Sequence, residues 1–186
     1  MDERRKLNQP IIECVMACIK GLKNIKSNHK PYEYLLGQAI RQYAIPIENW
    51  HLTIAAQQLW NNLTSEDINK FFYNETFCCD RVNKTCLKLF KGASKRGVDT
   101  EVLQSKYLRF NDVFSCEHTT PVKMVCDQLI LLENLSEESV MSILENIHIT
   151  RMLKEEDHAI KEKFRRQGTW KDIVTKVYNS QGIELV

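Results

Sequence analysis

The sequence predicts an α+β protein that is mainly helical. Apolar residues recur at helical spacing through the first 74 residues, a short stretch after them alternates as β-strands do, and helical spacing returns after residue 121. We therefore expect N-terminal helices, a small central antiparallel β element and C-terminal helices. A chain of 186 residues needs only one hydrophobic core, so a single domain is predicted over 1–186. Its predicted parts are a helical part (1–74), a β-containing region with the candidate site (75–160) and a C-terminal helix (161–186).

The N-terminal part is predicted to contain four helices. Ile11, Val15, Ile19 and Leu22 are spaced for one face of a helix over residues 8–26. Three more helices are expected around residues 34–43, 50–60 and 64–72. These helices should supply most of the core.

The middle of the chain changes to strand patterns. Alternating apolar residues on either side of a polar turn predict a β-hairpin over residues 77–89. Residues 107–118 read as one longer strand. Alternation would place five side chains on one face of that strand: Phe110, Asp112, Phe114, Cys116 and His118.

Helices are expected again after this strand. Thr119 or Thr120 can cap a helix that has Pro121 in its first turn. Further along, a helix is expected from Ser136, a short strand over 147–152 and a polar helix over 154–164. A capping box at residues 169–172 starts a last helix, which Gly182 should end.

The sequence predicts a protein that stays inside the cell. No secretory signal precedes the first helix, and no run approaches the roughly 20 apolar residues that span a bilayer. The seven cysteines are odd in number and have apolar neighbours, which favours free thiols. We therefore expect a soluble, cytoplasmic protein with no membrane partner.

Positive charge is concentrated in one stretch of the chain. The formal net charge is only +2, yet residues 81–109 hold eight basic and two acidic residues, an excess of six positive charges. Such a stretch is suited to the phosphates of DNA, and a solvated basic loop is the alternative. The residues expected to bind the phosphates are Lys88, Lys91, Lys95, Arg96, Lys106 and Arg109.

A histidine motif follows the predicted strand. Glu117 and His118 stand at the strand's end, three residues before Pro121 and the next helix. A histidine can take a proton from water, and a carboxylate can hold a cation that stabilises the charge developing on phosphorus. The free amides of the helix start favour a bound phosphate. This pattern is compatible with phosphodiester hydrolysis.

The motif resembles that of the HNH (ββα-metal) endonucleases, in which an acid and a histidine end a strand shortly before a proline. The resemblance implies a metal-dependent endonuclease, of restriction or mobile-element type, with His118 and Asn146 as catalytic residues. It also implies a divalent metal, Mg²⁺ or Mn²⁺, with residues 121–145 as a helical insertion. The ligands would come from Glu117, Asp112, Asp157 and Glu155.

Three other interpretations fit the residues. Asp99, Asp112 and Glu117 are compatible with a restriction-type nuclease core. Zn²⁺ is an alternative metal, held by Cys79, Cys86, Cys116 and His118. The protein can also be a non-catalytic helical interaction protein of a defence or mobile-element system, in which Glu117 and His118 only brace a turn.

Overall fold

A computed structural model describes residues 8–25, 29–71, 75–81, 107–160 and 169–186. The protein is α+β and mainly helical, as predicted. Its longer helices are α1 (Asn8–Asn24), α2 (Lys30–Gln42), α3 (Ile54–Leu63), α5 (Val122–Ile130) and α6 (Glu137–Leu144). Shorter ones are α4 (Phe110–Val113), α7 (Lys154–Ala159) and α8 (Trp170–Asp172), which continues as a π-helix (Ile173–Tyr178) and a 3₁₀ turn (Asn179–Gln181).

The strands form two small sheets. The first has the order β1–β5–β4, from β1 (Trp50–Leu52), β5 (Ile149–Leu153) and β4 (Phe114–His118). β4 runs antiparallel to β5, whereas β1 runs parallel to it, so the expected antiparallel element is a mixed sheet. The second sheet pairs β2 (Thr76–Cys78) with β3 (Tyr107–Arg109) in antiparallel register.

The mixed sheet separates two hydrophobic clusters. The larger cluster contains residues of α1, α2, α3, α5 and α6 together with Phe114 and Ile149 of the sheet. The smaller one contains Met152 and residues of the C-terminal segment, among them Tyr178. Since neighbouring strand residues point to opposite faces, each cluster covers one face. We call these the helical face and the C-terminal face.

The predicted helix over 50–60 begins later than expected. Residues 50–52 form β1, and the helix starts at Ile54, because Thr53 acts as its N-cap and accepts a hydrogen bond from the Ala56 amide. β1 pairs with β5, whose residues lie about a hundred positions further along the chain. A strand of three residues is too short to show alternation, so only its distant partner reveals it.

The predicted strand over 107–118 is interrupted. Residues 110–113 form the helical turn α4, which divides it into β3 and β4. The Phe110 amide donates to the Glu75 carbonyl, and the Phe110 side chain is fully buried. Burying this ring turns the chain from one sheet to the other, so Phe110 and Asp112 do not share a strand face with His118.

The fourth helix and the β-hairpin predicted between residues 64 and 89 can be compared with the structure only in part. The expected fourth helix is a 3₁₀ turn (Ile68–Lys70) that begins at Asp67, whose carboxylate accepts from the Asn69 amide. The strand at 76–78 pairs with β3. The second arm of the predicted hairpin lies outside the described residues.

The C-terminal elements follow the sequence closely. Ser136 caps α6 and Thr169 caps α8, each in a capping box. Gly182 ends the last helical turn with a φ of 69°, a conformation that glycine adopts without strain. In the described ranges the cysteines are free thiols, and no helix there is long and apolar enough to cross a membrane.

Candidate functional site

The two residues of the predicted motif point to opposite faces of the sheet. His118 pairs with Ile149, which belongs to the helical cluster, so its ring lies on the helical face. Glu117 pairs with Thr150 and lies on the C-terminal face. Adjacent residues on one strand therefore do not meet at one site here, in contrast to what the HNH-like interpretation expects of them.

His118 has the surroundings of a core residue. Its Nε2 atom is buried and has no hydrogen-bond partner among the described residues. Burial, together with the charge of Arg41 on α2, lowers the pKa of the imidazole to about 4. The His118 residue as a whole is partly exposed, but its Nε2 atom is shielded from solvent.

Glu117 is held in a buried polar network. Tyr178 donates a hydrogen bond of 2.7 Å from its hydroxyl to the Glu117 carboxylate. The same hydroxyl lies 3.4 Å from Thr119 Oγ1, which is 2.6 Å from Thr150 Oγ1. Burial and the carboxylate raise the pKa of the Tyr178 phenol, so it stays protonated and keeps donating. The network binds the C-terminal segment to the sheet.

The other predicted metal ligands are dispersed. Asp157 accepts a hydrogen bond of 2.9 Å from Ser115, two residues before Glu117 on the same strand, so these two acids share the C-terminal face. Asp112 and Glu155 are both exposed, and burial followed by the Glu156 charge raises the pKa of the Glu155 carboxyl. Within the described ranges no three His, Cys, Asp or Glu side chains form a metal-binding group.

Asn146 lies beside the turn that follows β4. The Thr120 hydroxyl donates to the Asn146 carbonyl at 3.3 Å, next to the turn that follows β4. The strand after Asn146 returns beside β4, and two helices fill the predicted insertion. The Asn146 side chain, however, donates to the Ser142 carbonyl, within its own helix end.

Only one of the predicted phosphate-binding residues lies in the part of the chain that the structure describes. Arg109 is exposed at the end of β3. The others, Lys88, Lys91, Lys95, Arg96 and Lys106, lie outside the described residues, and so does Cys86 of the alternative Zn²⁺ site. Their role in nucleic-acid binding stays a prediction.

A pair of histidines lies on the C-terminal face. His51 of β1 and His148, just before β5, place Nε2 and Nδ1 2.9 Å apart, close enough for a direct hydrogen bond. Their rings are inclined by only 11°, with centroids 5.1 Å apart, so the two imidazoles lie side by side. The two histidines are 97 positions apart in the chain, so no local pattern connects them.

Trp170 covers this pair. Its ring stacks on His148 at 4.3 Å and on His51 at 4.7 Å between centroids. The ammonium of Lys171 lies 5.7 Å from the Trp170 ring centroid, which places a positive charge beside the imidazoles. The site thus combines two titratable groups, an aromatic cover and a cation.

Burial keeps both imidazoles neutral at pH 7. It lowers the pKa of His51, and it lowers the pKa of His148 to about 4, with the neighbouring His51 and the Lys171 charge acting in the same direction. In a hydrogen-bonded neutral pair one ring donates and the other accepts. The positive charge of a single added proton can therefore pass from one ring to the other through this bond.

The same tripeptide pattern builds both halves of the pair. His51 and His148 are each followed two positions later by a fully buried threonine on the same face. Thr53 caps α3 and donates to Glu156 at 2.7 Å, whereas Thr150 bonds Thr119. The pattern His-x-Thr also occurs at His118, so a search for it would have found His51 and His148 without separating them from His118.

No family model, curated protein or solved structure matches the chain.

Proposed function

We propose that the protein hydrolyses phosphodiester bonds of nucleic acid, with His51 and His148 as the general base and general acid. The observation that carries this proposal is the direct contact of the two imidazoles at 2.9 Å on one face of the sheet. It moves the catalytic role from His118, whose Nε2 atom is buried, to two half-buried rings that contact each other. The reaction class is the one that the sequence motif predicts.

The pair can supply both proton transfers of the reaction. The neutral imidazole takes a proton from the attacking water while the protonated one gives its proton to the oxygen that leaves phosphorus. One P–O bond forms and one breaks, and the two histidines exchange protonation states. Proton transfer along the His51–His148 hydrogen bond would restore the starting state.

Substrate binding requires a local rearrangement. The attacking and leaving oxygens lie on opposite sides of phosphorus, so the imidazoles must separate to reach both. Trp170 must also move from its stacked position to admit the phosphate. Lys171 is placed to attract the anion.

The substrate class rests on charge. Six positive charges in excess between residues 81 and 109 favour a polyanion such as DNA. Glu117 and Asp157, two of the acids that the resemblance assigns to Mg²⁺ or Mn²⁺, accept hydrogen bonds from Tyr178 and Ser115. The divalent metal stays a prediction, and the proposed proton transfers use only the two histidines.

A non-catalytic interaction protein is the second candidate. The observation that favours it is the network of Glu117, Tyr178 and Thr119, in which the motif residues brace the fold. In that case His51 and His148 would be a structural pair covered by Trp170.

Cleavage assays on plasmid DNA and on a single-stranded RNA, with and without chelator, test the proposal. We expect His51→Ala and His148→Ala each to lower the rate by roughly 10²–10⁴-fold, the usual contribution of a general acid or base. His158→Ala is the matched control, because that histidine is exposed on α7. His118→Gln should lose at most stability.

Two results would contradict the proposal. The first is wild-type cleavage by a folded His51→Ala or His148→Ala protein. The second is the absence of cleavage of every substrate, with or without divalent metal, which would leave the interaction protein as the better interpretation. Loss of activity in His118→Gln with an unchanged melting temperature would return the catalytic role to the original motif.

A further inference from the structure

A cavity of about 380 Å³ opens at the edge of the mixed sheet, beside β1. Its walls include Trp50, His51, Gln57, Asn61, Asn69 and Arg151. Ligand pockets run from about 300 to 1,000 Å³, so this cavity is suited to one small ring system. His51 belongs both to this wall and to the histidine pair, which places the cavity next to the proposed site.

A rigid polar wall closes one side of the cavity. Arg151 is only 2% exposed, and its guanidinium lies 4.2 Å from the Trp50 ring centroid. Its Nη1 atom donates to Asn69 Oδ1 at 2.9 Å. A buried arginine held by an aromatic ring and an amide gives the cavity a fixed shape before any ligand enters.

The charges of the lining decide which ligand fits. Arg151 contributes one positive charge, whereas Glu66 and Asp67 contribute two negative ones, which leaves a net charge of −1 with neutral His51. A second phosphate would be repelled here. A neutral ring with several hydrogen-bonding groups would not.

Side-chain amides supply the matching hydrogen bonds. Gln57 and Asn61 lie one turn apart on α3 and line the cavity. Each amide offers both donors and an acceptor, the pattern with which proteins recognise the edges of nucleobases. Within the described ranges, neither side-chain amide has a hydrogen-bond partner.

From these observations we infer that the cavity binds the base of a nucleotide adjoining the bond to be cleaved. The inference rests on the proposed function for the position of the phosphate at the histidine pair. The base would lie against Trp50 and be held by the amides of Gln57 and Asn61. Base recognition would then be carried by α3, separate from the proton-transfer groups.

Adjacent residues of α3 provide a matched pair of variants. Gln57→Ala/Asn61→Ala removes the two lining amides, whereas Gln58→Ala/Asn62→Ala removes the same residue types from the exposed neighbouring positions. Binding of adenosine, cytidine, guanosine and uridine is measured by NMR titration and calorimetry. Inorganic phosphate is the control ligand.

We expect at least one nucleoside to bind wild type and to lose about tenfold in affinity in the lining variant, because that variant cannot form the two side-chain hydrogen bonds. The control variant should bind within twofold of wild type, and inorganic phosphate should not compete. His148→Ala should retain nucleoside binding, because that residue does not line the cavity.

The experiments distinguish a failure of the base site from a failure of the proposed catalytic pair. Absence of nucleoside binding, equal weakening in both variants, or competition by phosphate would overturn the base site. If the histidine variants still lose cleavage, the proposed function survives that failure. The opposite outcome is also distinguishable. If nucleoside binding depends on Gln57 and Asn61 but cleavage is unchanged in the histidine variants, the base site is supported and the proposed catalytic pair is contradicted.

Discussion

At the scale of single residues, the burial of the histidine pair determines the pH at which the pair can take up a proton. His51 and His148 are half-buried, and burial destabilises the charged form of each ring. The first proton to enter the pair binds an outer ring nitrogen, and its positive charge can pass to the other ring through the hydrogen bond of 2.9 Å. Its apparent pKa therefore belongs to the pair and not to either ring.

We expect the pH profile of kcat/KM to peak on the acid side of 6.5, the ordinary histidine pKa. The active form of the pair has one proton, and a lowered pKa means that this proton binds only at lower pH. Lys171→Gln removes a charge that lowers the pKa of His148, so its optimum should move toward neutral pH.

Lys176→Gln is the control for this shift, because Lys176 is bonded to Asp172 at 3.1 Å and is not among the groups that shift the pKa of His148. The profiles are measured under kcat/KM conditions, where the free enzyme titrates. An optimum above neutral pH, or equal shifts in both lysine variants, would contradict this account of the pair.

At the scale of elements, Thr53 connects three segments. It follows β1, caps α3 through the Ala56 amide, and donates to Glu156 near the start of α7. Its side chain is fully buried, so both hydrogen bonds are shielded from water. The position of β1, and with it of His51, depends on this residue.

Thr53→Ala is expected to lower the free energy of unfolding by about 1–2 kcal/mol, the usual cost of losing a helix cap. Urea denaturation measures the loss. Thr53→Ser keeps the hydroxyl and should recover most of it, and Thr175→Ala, at an exposed position, should change stability little. Equal losses in the alanine and serine variants would assign the effect to packing of the methyl group instead.

Local patterns predicted the helices better than the site. The first two helices and the caps at Ser136 and Thr169 could be predicted from the sequence, because spacing and capping act within a few residues. The parallel pairing of β1 with β5 joins distant segments and leaves no local signal. His118 was selected for its neighbours in sequence, while strand alternation turned it away from Glu117.

At the scale of the whole molecule, the small net charge conceals an uneven distribution. The chain has a formal charge of +2, whereas residues 81–109 alone have an excess of six positive charges. A polyanion would therefore be attracted to one part of the molecule and not to its surface in general.

Nucleic-acid binding is expected to weaken steeply with salt, because each phosphate contact releases condensed counterions. Lys95→Glu/Arg96→Glu should reduce the affinity and the salt slope. Lys20→Glu/Lys30→Glu changes the net charge by the same amount at exposed positions of the helical part and should have a smaller effect. Fluorescence anisotropy at several salt concentrations measures both. Equal effects of the two variants would indicate attraction by net charge alone.

The parallel pairing of β1 with β5 also sets the order in which the molecule can be assembled during synthesis. His51 and His148 are 97 positions apart, and bringing the ends of such a long loop together costs roughly 4 kcal/mol of chain entropy. α1 and α2 are neighbours in sequence and can pack while the ribosome is still translating. The two imidazoles can meet only after β5 has emerged, and Trp170 can cover them only later still. A nascent chain could therefore pack α1 against α2 well before the two histidines could meet.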